Sequence, residues 1–497
     1  MGVDLIDITA KRAALTPHRV AFEDGLTGRV LTYAELDDRA ARGGAVLTGL
    51  GIERGDRVAI LCRNRVEFFE IMFACAKIGA IFVPLNWRAP VAELSGLIAD
   101  CLPKLMIFGE EDGDAARALS PHLLGLDDNY TAQLADASPL RTDARWPSDG
   151  IWSLIYTSGT TGAPKGVMQT YQMSAVNAFH VTQAFDLRGG DTTLNFLPLC
   201  HTAGIQLVTL PTLIAGGTVI VLPSFDAGRA LDLMPRLDVF FGVPTIYQQF
   251  ALSPAFETAN LARVRSWGCG GAPLPDILVE RFAAKGVRVC NGYGMTETGP
   301  TAFIAARDDA LGKVGSVGKP QMLLEARIVN AFGNDVSDGE TGEIWMRGPG
   351  LTPGYWNRAD ETAKAFTHDG WLKSGDLGRR DSDGCYYVAG RIKEMYISGG
   401  ENVYPAEIEN LLARHPSVLE AAVVGVQDDR WGEVGRAYIV LRQNAEVCSA
   451  EIIQFCRAHL AAYKAPRHIV FVADFPRTAA GKIRKHLLGA SEKPLAQ

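Results

Sequence analysis

Along the first half of the chain the hydrophobic positions alternate between a helical spacing of three and four and short continuous apolar runs. Thr32-Tyr33-Ala34-Glu35 forms a capping box that opens an amphipathic stretch, which predicts a helix ending at Gly51. Residues 57–61 then read as a strand, 66–78 as a helix, and 80–84 and 104–108 as further strands. Such alternation predicts helix-covered, largely parallel sheets. The pattern changes after Gly390. A hairpin-like pair from Tyr386, a helix over 406–414, strands over 421–426 and 437–441, a helix over 450–459 and a strand over 468–472 make a compact module. The expected fold class is therefore α/β, with a large N-terminal domain of helix-covered sheets (1–390) and a small mobile C-terminal α+β domain (391–497).

Residues 201–225 carry no charge and raise the question of a membrane span. Pro211, Gly216, Gly217 and Pro223 interrupt them, so they read as a buried helix (204–214) followed by a buried strand (218–222), and no integral membrane contact is expected. With 497 residues, 47% of them hydrophobic, the chain can bury more than one core. A net charge of −7 argues against a nucleic-acid partner, which would leave a basic stripe. The nine cysteines are scattered without a Cys-x-x-Cys pair and read as reduced, mostly buried residues. The first fifteen residues carry Asp4, Asp7, Lys11 and Arg12 in place of a signal-peptide apolar core, so a cytoplasmic location is expected. A homo-oligomer is compatible with the sequence, which fixes no stoichiometry.

The candidate chemistry starts after the apolar run 151–156, which reads as a buried strand. Ser158-Gly159-Thr160-Thr161-Gly162-Ala163-Pro164-Lys165-Gly166-Val167 follows it. Thr157, Ser158, Thr160 and Thr161 offer hydroxyl donors, Gly159 and Gly162 allow backbone N–H groups close to phosphate oxygens, and Lys165 adds a positive charge. A Walker-type loop is excluded, because Pro164 precedes the lysine and Gly166 follows it where a hydroxyl residue would be needed. The string closely resembles the phosphate loop of the adenylate-forming enzymes, namely the acyl- and aryl-CoA synthetases, the luciferases and the adenylation domains of peptide synthetases.

That resemblance extends through six ordered motifs from about residue 5 to residue 488. In Asn291-Gly292-Tyr293-Gly294-Met295-Thr296-Glu297-Thr298 it implies that Tyr293 stacks on adenine, Asn291 faces the adenine edge, Thr296 meets the α-phosphate and Glu297 helps bind Mg2+. Gly271 and Ala272, in Gly268 to Pro273, would wall the adenine. Asp376 would accept both ribose hydroxyls, as a carboxylate with two acceptor oxygens suits a vicinal diol. Arg391 would contact ribose and phosphate, Lys393 would be the hinge, and Gly399-Gly400 would line the pantetheine tunnel. Lys482, in a loop where Arg477 and Ala480 depart from the usual Lys and Ser or Thr, would reach the reacting carboxylate. His201, Ala203, Gln206, Tyr247, Gly271, Gly294, Pro300 and Thr301 would line the acyl pocket.

The implied reaction joins a carboxylic acid to coenzyme A through an acyl-adenylate, using ATP and Mg2+. The wording around 241–247 most resembles bacterial feruloyl-CoA synthetases and fatty-acyl-CoA ligases, which leans the substrate toward an aromatic or phenylpropanoid acid such as ferulate. The alternatives are a medium- or long-chain fatty acid, and then an adenylating enzyme with a non-CoA acceptor. An amino-acid-selecting adenylation domain would need an acid to pair the substrate ammonium, and 199–206 has none. A luciferase-type oxygenase shares the motifs. An idle nucleotide-binding module is disfavoured by intact Lys165, Glu297, Asp376 and Lys482.

Overall fold

Two sheets with parallel cores carry most of the chain. The computed structural model describes residues 4–140, 145–157, 164–478 and 481–488. One sheet has six strands in the order Lys165–Thr170, Ile151–Thr157, Ile81–Pro84, Arg57–Leu61, Leu105–Phe108, Leu123–Gly125. All its neighbours are parallel except the hairpin at its edge. A nine-stranded sheet runs parallel from Val289–Tyr293 through Ser266–Cys269, Val239–Gly242, Thr192–Asn195 and Thr218–Val221 to Val20–Asp24. The helix Val66–Ile78 is almost wholly buried in the core that also takes Phe22, Phe82 and Trp152, from strands of both sheets, and ends on Gly79 at φ +75°. Thr32 and Glu35 close the expected capping box: Thr32 N donates to Glu35 Oε2 at 2.8 Å, and Glu35 N to Thr32 Oγ1 at 3.3 Å.

Two sequence expectations are corrected. The helix over 204–214 is in fact a single π turn, Ala203–Leu207, followed by a separate helix, Thr209–Ala215. The break puts Pro211 in the first turn of the second helix, where its missing N–H leaves no hydrogen bond unmade. Carbonyls of the π turn are taken by side chains: Gly204 O accepts from Asn195 Nδ2 at 2.7 Å and from Thr209 Oγ1 at 3.0 Å, and Gln206 O accepts from Asn177 Nδ2. The pair expected from Tyr386 also divides. Tyr386–Arg391 is the edge of a four-stranded antiparallel sheet with Glu325–Val329, Gly342–Arg347 and Leu372–Arg380, while the hairpin proper is Tyr396–Ser398 with Glu401–Val403.

The C-terminal sheet joins that hairpin to Gly432–Leu441, Val418–Asp428 and His468–Phe471, with helices Pro405–Leu412 and Ser449–His459 completing a core around Ile408, Val423, Ile439 and Ile452. It is docked on the larger part. Gln248 Nε2 donates to Leu419 O at 2.8 Å, Asp276 N to Asn410 Oδ1 at 3.4 Å, and Arg414 Nη2 pairs with Asp276 Oδ2 at 2.7 Å. All nine cysteines are free and only Cys448 is exposed, so the thiols match the expectation. Among the described residues no helix is long and apolar enough to cross a membrane.

Candidate active site

The edge hairpin of the six-stranded sheet fixes both ends of the glycine- and threonine-rich loop. Thr157 stands opposite Lys165 across an antiparallel register, and Trp152, Leu154 and Ile155 anchor the first strand in the core. Ser158, Gly159, Thr160, Thr161 and Gly162 lie outside the described residues. Lys165 Nζ pairs with Glu361 and sits 5.2 Å from the centre of the Tyr355 ring. Tyr355 Oη in turn donates to Glu297 Oε1 at 2.8 Å.

Glu297 lies in the 3-10 turn Thr296–Thr298 that follows Val289–Tyr293. It is buried at 7% exposure, and its carbonyl accepts from Thr352 N at 2.8 Å, while Thr296 O accepts from Gln169 Nε2 at 2.9 Å. The turn needs a glycine at 294. A Cβ there would lie 1.7 Å from Pro300 O, so the chain folds back only because none exists, and Ala302 N closes the loop onto Tyr293 O at 3.0 Å. Asn291 Nδ2 donates to Ser316 O at 3.4 Å, while its Oδ1 is buried without a partner among the described residues.

Beside this loop, Tyr293 Oη donates to Asp376 Oδ2 at 2.6 Å and Arg391 Nε lies 3.1 Å from Asp376 Oδ1. Asp376 is 4% exposed; burial raises its carboxyl above the usual range, with the Arg391 charge and the Tyr293 hydrogen bond working against it. Lys482 arrives from the C-terminal part. A Cβ built on Gly271, which has φ +84°, would be 3.9 Å from Lys482 Cε, and one on Gly481 would be 3.3 Å from Thr245 Oγ1. Lys482 is reached by solvent from the cleft, yet protein crowds it on most sides, and that desolvation lowers its ammonium below the ordinary lysine value. The Arg391 charge adds to the lowering, and Asp376 and Glu297 oppose it. His201 feels the same lysine. Burial first, and then the Lys482 charge, push its imidazole down to about 4, so it is neutral near pH 7.

The structure thus gathers Lys482, Asp376, Arg391, Tyr293, Glu297, Gly271 and His201, with the exposed Ala272 beside Gly271 and Gly292 in the strand beneath. It places Tyr247 elsewhere, correcting its expected position on the pocket wall. Tyr247 is fully buried among Phe240, Trp267 and Phe282, and its hydroxyl is spent on Gly268 O at 2.7 Å. Its position in a helix starting at Pro244 turns the ring into the core. Gly399 and Gly400, at φ +61° and +91°, form the tip of the Tyr396–Val403 hairpin; Gly399 N donates to Trp431 O at 2.9 Å. Lys393 sits in the turn between Arg391 and Tyr396, where Met395 N donates to Arg391 O at 3.1 Å.

Ala203 and Gln206 lie on the π turn, a helical irregularity that often marks a functional site. Gln206 Nε2 donates to Ser174 Oγ at 2.7 Å, and Asn177 ties the turn to the neighbouring loop, its Oδ1 accepting from Thr301 N at 3.2 Å. Gln206 Oε1, Thr301 Oγ1 and His201 Nε2 are buried without partners among the described residues. Sequence reasoning missed Ser174 and Asn177, and with them Tyr355 and Glu361. For the first two a signal existed: Ser174, Asn177 and His180 recur every third residue on Tyr171–Phe185, one polar stripe on a largely apolar helix, and all three are buried.

Comparison with known proteins agrees with this geometry. Residues 9–356 match the family model of the AMP-binding enzymes, and residues 407–482 that of the AMP-binding enzyme C-terminal domain. The chain is 40% identical over 477 residues, 96% of each chain, to a feruloyl-CoA synthase of an Amycolatopsis species. It is 36% identical, over 96% of each chain, to a long-chain-fatty-acid–CoA ligase of Mycobacterium tuberculosis. Among solved structures, ATP-bound MatB from Rhodopseudomonas palustris aligns with a TM-score of 0.90 at 33% identity, covering 97% of this chain and 98% of that one. The o-succinylbenzoate CoA synthetase of Bacillus subtilis, in complex with its acyl-adenylate intermediate, aligns with a TM-score of 0.91 at 31% identity, covering 99% and 100%. Two family models covering most of the chain, relatives matched nearly end to end and a shared two-part fold make one conclusion unavoidable: this chain belongs to the AMP-binding, adenylate-forming acyl-CoA synthetases and is an AMP-forming acid–CoA ligase.

Proposed function

We propose that this ligase activates a hydroxylated aromatic acid of the phenylpropanoid class, such as ferulate, and transfers it to coenzyme A. The observation that carries the reading is the pair of buried oxygens Gln206 Oε1 and Thr301 Oγ1, without partners among the described residues, on elements that Asn177 holds together. A buried polar atom left unpaired costs about 1–3 kcal/mol. A ring hydroxyl donates to the first oxygen and accepts from the second, whereas a fatty chain leaves both bare. The likeness to a feruloyl-CoA synthase supports the same choice.

In the first half-reaction the acid's carboxylate attacks the α-phosphorus of ATP, pyrophosphate leaves, and an acyl-adenylate remains. Thr157 to Gly162 and Lys165 hold the polyphosphate, Thr296 the α-phosphate, Asp376 and Arg391 the ribose, and Asn291, Gly292, Tyr293, Gly271 and Ala272 the adenine. Lys482 offsets the repulsion between carboxylate and phosphate. His201, neutral, stands beside the reacting group with Ala203, Gly294 and Pro300 along the acyl path. Glu297 is a single buried carboxylate, and no cluster of three His, Cys, Asp or Glu side chains among the described residues could hold a metal. Glu297 would suit Mg2+, which when bound would supply charge neutralisation to the departing pyrophosphate. Residues 391–497 then turn about Lys393, bring Gly399-Gly400 to the pantetheine arm, and the coenzyme A thiolate displaces AMP.

The test supplies the purified protein with MgATP, coenzyme A and a pool of cinnamic, hydroxycinnamic, benzoic and C4–C16 fatty acids, and identifies the thioesters by mass spectrometry. A dominant hydroxycinnamoyl thioester is expected, and a dominant fatty thioester would overturn the reading. Gln206→Leu should lower the preference for ferulate over its dehydroxylated analogue by a factor of about 5 to 150, the equivalent of about 1–3 kcal/mol.

A further inference from the structure

Glu361 has no place in the scheme above, yet it occupies the lysine that the scheme assigns to polyphosphate. Its Oε2 contacts Lys165 Nζ and its Oε1 lies 3.2 Å from Lys364 Nζ. Both lysines hold the Glu361 carboxyl below the ordinary range, Lys165 first, so it is charged near neutrality.

The pair is built into the scaffold. Glu361 lies on the helix Ala359–Ala365, and the segment leading into that helix adds itself to the strand that begins with Lys165: Trp356 N donates to Gly166 O at 2.8 Å, Met168 N to Gly354 O at 3.1 Å, and Thr352 Oγ1 to Met168 O at 2.7 Å. Tyr355 N donates to Thr362 Oγ1 at 3.0 Å, and a Cβ on Gly354 would lie 2.4 Å from Thr362, so helix and segment are pressed together. Glu361 therefore meets Lys165 in a prepared geometry. Both side chains remain open enough, at 32% and 19% exposure, for an incoming anion to separate them.

We propose that Glu361 is an internal competitor for the polyphosphate: it neutralises Lys165 in the empty site, yields it to ATP, and retakes it as pyrophosphate leaves. Lys364 gives the displaced carboxylate a second partner three residues away, so the exchange strands no charge. The competition weakens every phosphate ligand by one common factor, which lowers affinity for ATP and hastens loss of pyrophosphate. This rests on the reading that Lys165 serves the phosphates of ATP.

The test measures MgATP and pyrophosphate binding to the full-length enzyme by calorimetry, together with product inhibition by pyrophosphate. E361Q, which keeps the side chain's shape, should bind both ligands roughly 1.4- to fivefold more tightly, the range of a partly exposed ion pair. Its inhibition constant for pyrophosphate should fall by the same factor. In a K165A background E361Q should change neither quantity, because the competition acts only through that lysine. Unchanged or weaker binding in E361Q, or tightening that persists without Lys165, overturns the proposal while leaving the nucleotide site intact. Failure of the wild-type protein to bind MgATP would overturn both the nucleotide reading and this one.

Discussion

Arg414→Ala tests whether the docked arrangement seen here is the one that forms adenylate. Arg414 Nη2 lies 2.7 Å from Asp276 Oδ2, with the arginine half exposed and the aspartate 17% exposed. Of the ties between the two parts, it joins opposite charges at hydrogen-bond distance, next to the Asn410 contact and the Gln248–Leu419 bond. A pair this exposed contributes about 0.2–1 kcal/mol, which is a factor of about 1.4 to 5 in the ratio of docked to undocked enzyme. Docking is what brings Lys482 over Gly271, so acid-dependent ATP–pyrophosphate exchange should fall by up to that factor at low salt. Thioester formation from synthetic acyl-adenylate, which the proposed turn about Lys393 assigns to a second orientation, should rise by up to the same factor. Raising ionic strength should bring the wild-type exchange rate toward that of the variant, because exposed charges are screened. Equal losses in both half-reactions, or no change in either at low salt, would refute the reasoning.

Lys482→Ala should cut pyrophosphate release by about 100-fold or more, the loss expected of one preorganised charge, and spare thioester formation from supplied acyl-adenylate; equal loss in both assays would remove Lys482 from its role. Because the protein crowding Lys482, and then the Arg391 charge, lower its ammonium, that charge is complete at low pH and lost as pH rises through the lowered value, so the exchange rate should decline on the alkaline side before an ordinary lysine, near pH 10.4, would titrate. Lys482→Arg should abolish that decline in a pH–rate profile, and a wild-type rate flat to pH 10 would contradict it. Tyr247→Phe should cost about 0.5–1.5 kcal/mol of stability in a denaturant titration, the net worth of its hydrogen bond to Gly268 O, with KM for the acid unchanged; a shifted KM would return Tyr247 to the pocket.

Local signals carried the sequence reading well where the residue pattern and the packing agree. The Thr32 capping box, the strand Arg57–Leu61 and the helix Val66–Ile78 lie where periodicity places them, because each has a single face or a whole surface to bury. The π turn at Ala203–Leu207 was invisible, since its spare carbonyls are satisfied by Asn177 and Asn195, residues remote or unremarkable in sequence. The site shows the same division. Asp376, Arg391 and Tyr293, from three separate motifs, lie in contact, but Glu361 and Tyr355 belong to a segment whose partners lie far along the chain, and no spacing announces a pairing across such a separation. Tyr247 was misplaced because a helix's rotation, fixed by Pro244 and the aromatic core, decides which way the ring turns.

The strand Lys165–Thr170 closes one side of its sheet, and the residues around Gly354 cover its free edge. Thr352 is 184 residues beyond Met168, so on the ribosome, at 5–20 residues per second, that edge waits about 10–40 s for its cover. An uncovered strand edge is a template for pairing with another chain. Shortened versions of this protein that stop before Thr352 should consequently be insoluble, even though both parallel sheets would be present in full, and expression is best engineered on the intact chain.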